Sequence, residues 1–234
     1  MTTAKDCGPN PSTHQAHVRA RAKTPAPPIP TAAVRVAGGE RRLAGLLARP
    51  RVAIVGARHS TYPGQEVATR LARELAQAGV TIVAGLTEGI EASAHHAVLE
   101  ASMPTIAVVP GSPAVAYPPG QKHLHAKLLE RGCVVGSGRE RTHTLNSQAG
   151  DHDRQDPLLE RNHVIAELAQ VVILIETTTG AAAMQTAERA LELGGEVGAV
   201  PGRITDESAD GPNRLIRDGA HPILETKDVL DLLA

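Results

Sequence analysis

From Val52 onward, short runs rich in Val and Ile alternate with stretches of helical spacing, and this alternation most restricts the folds open to the chain. Strands separated by helices need crossover connections, which produce a parallel sheet with helices on its faces. Six strands are predicted, over 52–55, 80–84, 105–109, 133–136, 171–175 and 196–200. Between the first two, Val67, Leu71, Leu75 and Ala78 recur at helical spacing, and Gly79 follows as a stop. Helices are also predicted over 89–101, 121–131 and 157–169, where Pro157 suits a first turn. Another starts behind the hydroxyls of "TTTG", and shorter ones follow near 212–218 and 227–233. The expected class is α/β, a three-layer fold with a mostly parallel sheet.

What fills such a core follows from composition. The chain has no Phe or Trp and only Tyr62 and Tyr117, so Val, Ile, Leu and Ala must build the interior, and a base-stacking role is weakened. Cys7 and Cys133 lie too far apart in sequence to suggest a disulfide framework, which fits a reducing cytoplasm. No apolar run approaches the ~18 residues of a membrane span, and no secretory segment opens the chain, so a cytoplasmic protein is expected.

The 234 residues divide unevenly in character. Residues 1–33 are polar and proline-rich and read as a disordered basic tail. Residues 34–50 predict a short helical appendage interrupted at Gly38-Gly39, and 51–234 form the α/β domain. Residues 1–51 carry nine Lys or Arg against two acids, a net +7, whereas the remainder carries −8. Such a tail suits either a polyanion contact or a solvated face. Residues 137–156 are polar and irregular, long enough for a functional flap.

In an open parallel sheet, ligands gather where strand carboxyl ends meet helix amino ends, because unpaired amides and helix dipoles there favour anions. Three turns qualify. In Gly56-Ala57-Arg58, Gly56 permits close backbone approach and Arg58 offers a forked, permanent charge to a phosphate. The second, Gly85-Leu86-Thr87-Glu88-Gly89, pairs glycines suited to a tight turn with a carboxylate that repels phosphate unless it points away. In the third, Glu176 and Thr177–Thr179 precede Gly180, and the hydroxyls either bind a phosphate or cap the helix.

Other chemistries find little support. Neither the dinucleotide fingerprint GxGxxG nor the phosphate-loop pattern GxxxxGK[ST] occurs, so no nucleotide cofactor is expected. His95-His96, His123 and His125 invite a metal, but adjacent helical residues point about 100° apart and no ligand spacing accompanies them. No nucleophile elbow or Cys–His arrangement can be assembled, and no metal or catalytic residue is assigned.

Taken as a series, several stretches resemble the DNA-processing protein A (DprA/Smf) family. "VAIVGARHSTYPGQEVATRLARELAQAGVTIVAGL" is similar to that family's opening block, and "EGIEASAHHAVLEASMPTIAVVPGS" and "YPPGQKHLHAKLLERG" to the next two. "ERNHVIAELAQVVILIET", "TGAAAMQTAERALELGGEVGAVPGRI" and "GPNRLIRDGAHPI" resemble its later motifs in order, so the likeness runs over about 51–234. It implies an extended Rossmann-like core that binds single-stranded DNA, forms a homodimer and loads a RecA-type recombinase in natural transformation, with no enzymatic step. Carried over by position, the implied DNA or phosphate contacts are Gly56, Arg58, Gly85, Gly89, Arg161, Asn162, Thr179 and Gly180.

The chain also departs from the family pattern. Where the family has FPxRNR, Leu158 and His163 stand in place of the aromatic and the second arginine, and Glu88 replaces the arginine of GLARGID. Each lost phosphate contact flattens the salt dependence of binding. An alternative is a nucleotide-binding or nucleotide-hydrolysing protein related to the cytokinin-activating phosphoribohydrolases. Their PGGxGTxxE finds only "TTTGAAAMQTAE" here, which lacks the glycine pair.

Overall fold

The computed structural model describes residues 34–138 and 156–234, so the expected tail over 1–33 and most of the insertion over 137–156 lie outside it. In chain order the elements are β1 (Arg35–Ala37), α1 (Glu40–Leu47), β2 (Arg51–Gly56), α2 (Tyr62–Gln77), β3 (Thr81–Gly85), α3 (Ile90–Glu100), β4 (Ile106–Pro110) and α4 (Lys122–Arg131). They continue with β5 (Cys133–Ser137), α5 (Pro157–Leu168), β6 (Val171–Ile175), α6 (Ala182–Glu192), β7 (Glu196–Ala199), α7 (Asp210–Arg217), β8 (His221–Pro222) and α8 (Thr226–Leu233). All six expected strands form, within a residue or two of their predicted ends.

The strands make one sheet in the order β1-β5-β4-β3-β2-β6-β7-β8. Every pairing is parallel except that of β1 with β5. From β2 the chain builds outward through β3, β4 and β5, then returns to lay β6 on the other side of β2. The order therefore reverses between β2 and β6, and in open α/β sheets ligands sit outside the carboxyl ends of the strands at such a reversal.

Alternation along each strand assigns the two helical layers. Val52 and Ile54 of β2 face Leu71 and Leu75 of α2, Ala94 of α3 and Val229 of α8. Ala53 and Val55 face the opposite layer, with Leu46 of α1, Ile165 of α5, Ala187 of α6 and Leu215 of α7. Helix α4 extends the first layer through Leu124 and Leu128 over β4 and β5. Ile54, Leu71 and Leu75 are wholly buried, each contributing about 1.5–3 kcal/mol of transfer free energy. The aliphatic interior anticipated from composition is what fills the sheet's two faces.

Two local expectations are corrected. Residues 34–50 do not form a helical appendage alone, because Arg35–Ala37 pairs with β5 and extends the sheet before Gly38 and Gly39 turn the chain into α1. The Arg42 guanidinium then donates to the carbonyls of Glu130 at 2.8 Å and Gly132 at 3.0 Å, satisfying the end of α4. Arg51, largely buried, serves α5 similarly by donating to Leu168 O at 2.7 Å. Second, the hydroxyls of Thr177–Thr179 do not cap α6; its N-cap is Ala181, with no side-chain cap bond. No helix among the described residues is long and apolar enough to cross a membrane.

Candidate nucleic-acid interface

A cavity of about 570 Å³ opens at the strand reversal, above the carboxyl ends of β2 and β6. Gly56, Ala57 and Arg58 line one wall, Thr177, Thr178 and Ala181–Ala183 the other, and Thr87, Glu91, Arg161 and Asn162 lie at its base and side. Arg58 is exposed and has no side-chain partner among the described residues. Opposite it, α6 begins on alanines, and the first bond of that turn is Met184 N–H to Ala181 O at 2.9 Å. The amides of Ala182 and Ala183 therefore stand before the hydrogen-bonded part of the helix, beside side chains too small to cover them. A permanent cation facing an open helix start is suited to a phosphate.

Beneath this opening lies a buried ion pair. Arg161, from the first turns of α5, bonds the Glu91 carboxylate, donates through Nε to Val108 O at 3.2 Å and through Nη1 to Asn162 Oδ1 at 3.3 Å. Both charged side chains are about 95% buried. The same Glu91 oxygen accepts from the Thr87 amide at 3.0 Å and from the Thr87 hydroxyl. Gly85 makes room for the pair, since a Cβ there would fall 1.0 Å from Arg161 Nη2. Arg161 was expected to offer its charge to a ligand; the structure instead commits that charge to Glu91, and the pair braces α5 against α3 and the ends of β3 and β4. Asn162 carries the brace across to α6, donating to Ala182 O at 3.1 Å and Gln185 Oε1 at 3.4 Å.

The remaining expected positions fall in different places. Gly89 is the N-cap of α3 at φ 77°, where a Cβ would come within 2.4 Å of the carbonyls of Ala57 and Arg58, so the second turn is packed onto the first. Glu88 is exposed and outside the cavity wall; its Oε1 lies 3.4 Å from where a Cβ on Gly120 would stand, so the carboxylate leans toward the loop before α4. Thr179 and Gly180 are exposed on the far side of the third turn, and Thr179 borders a separate depression with Asn213, Arg214 and Arg217.

Two acids carry more of the site than sequence reasoning gave them. Glu91 was visible only as an acid in a first helical turn. Glu176 adopts a left-handed backbone, φ 44°, and turns its carboxylate onto the start of α2. There it accepts from the Thr61 amide at 2.7 Å and from the Thr61 hydroxyl, above Gly64, where a Cβ would meet the carboxyl carbon at 2.3 Å. The helix start that follows β2 is thus occupied by the protein's own anion.

The histidines are held by the frame. His95 is fully buried, with Nε2 2.9 Å from Gly85 O and Nδ1 3.0 Å from Thr105 Oγ1, and His125 Nε2 lies 2.9 Å from Pro113 O. A carbonyl can only accept, so His95 carries its proton on Nε2. Burial pulls its pKa from 6.5 down to about 4. A depressed value means that the unfolded chain binds the extra proton first, so this stability is full above about pH 6.5 and drains as pH falls toward 4. The expected loss is about 3 kcal/mol. Urea unfolding across that pH range should show it, and His95→Gln, which retains a donor toward Gly85, should flatten the slope.

Comparison with known proteins decides the lineage. The family model described as DNA recombination-mediator protein A matches residues 39–234. The chain belongs to that family. Among curated members, the putative DNA processing protein DprA of Mycobacterium tuberculosis is 31% identical over 185 residues, covering 79% of this chain and 45% of that protein. The chain spans about half the length of such relatives. The crystal structure of DprA from Streptococcus pneumoniae superimposes with a TM-score of 0.72 at 31% identity, covering 85% of this chain and 65% of that one. The DprA of Helicobacter pylori, whose structure concerns its single-stranded DNA binding mode, gives 0.71 at 25% identity and covers 86% of each chain. The DprA family relationship and its Rossmann-like fold thus agree with the motif series, and the retained "GAR" turn lies at the cavity mouth.

Proposed function

We propose that this chain is a single-stranded DNA-binding member of the DprA family that acts in DNA processing, contacting a backbone phosphate through Arg58 and the open start of α6. The observation that carries this reading is the exposed, unpartnered Arg58 facing alanine-flanked amides at the strand reversal. Family membership and the single-stranded DNA binding of the Helicobacter pylori relative support it. Gly56 belongs to the contact as the residue whose missing side chain lets β6 and α3 pack against the end of β2 beside Arg58. Arg161 and Asn162 hold the walls in place. Binding needs no bond-making step; of the two carboxylates that line the cavity, Glu91 already bonds three donors and Glu207 is exposed. Partnership with a RecA-type recombinase, a homodimer and a cytoplasmic location belong to the same proposal.

The nucleotide-enzyme alternative is disfavoured, because the helix start after β2 that would receive a nucleotide's phosphate holds Glu176. The test is a titration of oligo-dT by fluorescence anisotropy across a salt series. Arg58→Ala should weaken binding about tenfold at low salt, the size of one charge-assisted contact. It should also reduce the log–log salt slope by about 0.7. Binding unchanged in both respects would remove Arg58 from the interface, and binding by neither protein would overturn the proposal.

A further inference from the structure

The chain's two aromatic residues are both outside its core. Tyr62 is 80% exposed and Tyr117 is 40% exposed, and neither hydroxyl has a hydrogen-bond partner among the described residues. Their position is not scattered. The exposed large hydrophobics among the described residues are Tyr62, Val115, Tyr117, Ile204 and Leu224, and all five follow the carboxyl end of a parallel strand. Tyr62 follows β2, Val115 and Tyr117 follow β4, Ile204 follows β7 and Leu224 follows β8. Exposed apolar groups gathered on one rim mark an interaction surface, and this rim is the one that bears Arg58.

We propose that Tyr62 and Tyr117 are stacking platforms for bases of the bound single strand. The inference rests on the strand-binding reading above and adds how the strand is oriented. Tyr62 opens α2 four residues after Arg58, at most about 14 Å away along the chain, within reach of a strand whose phosphate sits at Arg58. Tyr117 stands in the loop that follows β4, a strand two spacings from β2, or about 10 Å. Between them, after β3, lies exposed Glu88. A carboxylate there repels phosphates, so over this stretch the strand meets the protein with its bases and keeps its backbone outward. Every base has a π-face, so such contacts add affinity without selecting sequence. The near absence of aromatics, which weakened a stacking role in the sequence, has a different meaning once both rings are placed on this rim.

The composition supplies its own probe. Without Trp, tyrosine emission is not masked, and the two rings report directly on what covers them. The full chain is titrated with oligo-dT and with an abasic oligomer of equal length. Oligo-dT should quench the emission and bind about tenfold more tightly than the abasic polymer. Tyr62→Leu and Tyr117→Leu should each lose much of that preference and leave abasic binding unchanged, whereas the Phe variants should keep it. Equal wild-type affinity for both polymers without quenching would overturn stacking and leave the Arg58 contact standing. Leu variants that bind oligo-dT like wild type, or lose both polymers equally, would also overturn it. Binding of neither polymer by the wild type would instead overturn the strand reading, and the stacking inference with it.

Discussion

Arg161→Met should lower the free energy of unfolding by about 3–5 kcal/mol, because it leaves the Glu91 carboxylate buried without its cation. The carboxylate retains the Thr87 amide and hydroxyl, which cannot replace a full positive charge. The loss extends beyond the pair. Arg161 also bonds Val108 O and Asn162 Oδ1, so α5 is released from β4 and loses part of its link to α6. Chemical denaturation of the single variants and of Glu91→Met/Arg161→Met gives the check. The double variant should cost markedly less than the two singles added together, since replacing both charges removes the desolvation penalty that either alone exposes. Additive losses would show that the pair is not coupled. If Arg161 were free to serve a ligand, its replacement would impair binding with little change in stability, which is the opposite pattern.

Gly56→Ala should cost about 3 kcal/mol through a clash that no rotamer relieves. An added Cβ would lie 1.9 Å from Ile175 O and 2.8 Å from Ile90 Cγ1. The first contact is with backbone in the strand paired to β2, where Gly56 stands in register with Ile175, so relief requires β2 and β6 to separate where the cavity opens. The second is with the first residue of α3, whose backbone N–H itself donates to Ala57 O at 3.3 Å. Thermal and urea unfolding should both register the loss. An alanine variant of wild-type stability would mean that this strand end is far more yielding than its pairing indicates.

The frame was legible in the sequence because its signals are local. Runs such as "VVILI" and the spacing of Val67, Leu71 and Leu75 need no knowledge of distant residues. The strand β1 was missed because only three residues contribute to it and the pairing that makes them a strand is with β5, about a hundred positions away. Separation in sequence also hid the role of Arg161, whose partner Glu91 lies 70 residues earlier. Helical spacing by itself marks "RN" only as two polar residues within a helix and has no means of seeing the acid opposite. Gly85 offered a clue without an explanation: a glycine closing a strand signals close approach, and what approaches is the guanidinium. Glu88 drew attention as a reversed charge, yet its side chain leans away from the cavity toward Gly120. In the sequence Glu176 is one residue of a turn, and only its left-handed backbone and its bonds to Thr61 reveal the direction of its carboxylate.

That inward-turned carboxylate bears on how a polymer can be held. An enclosed anion hole at a helix start fits a terminal phosphate best, because an internal one carries chain on both sides. With Glu176 filling the start of α2, the phosphate contacts of the proposed site lie at the open mouth of the cavity between Arg58 and α6. An open mouth admits chain passing across it, so on that reading every internal linkage of a strand is an equivalent place to grip. Longer strands then gain affinity simply by offering more registers, and capping or removing a terminal phosphate should leave the grip unchanged.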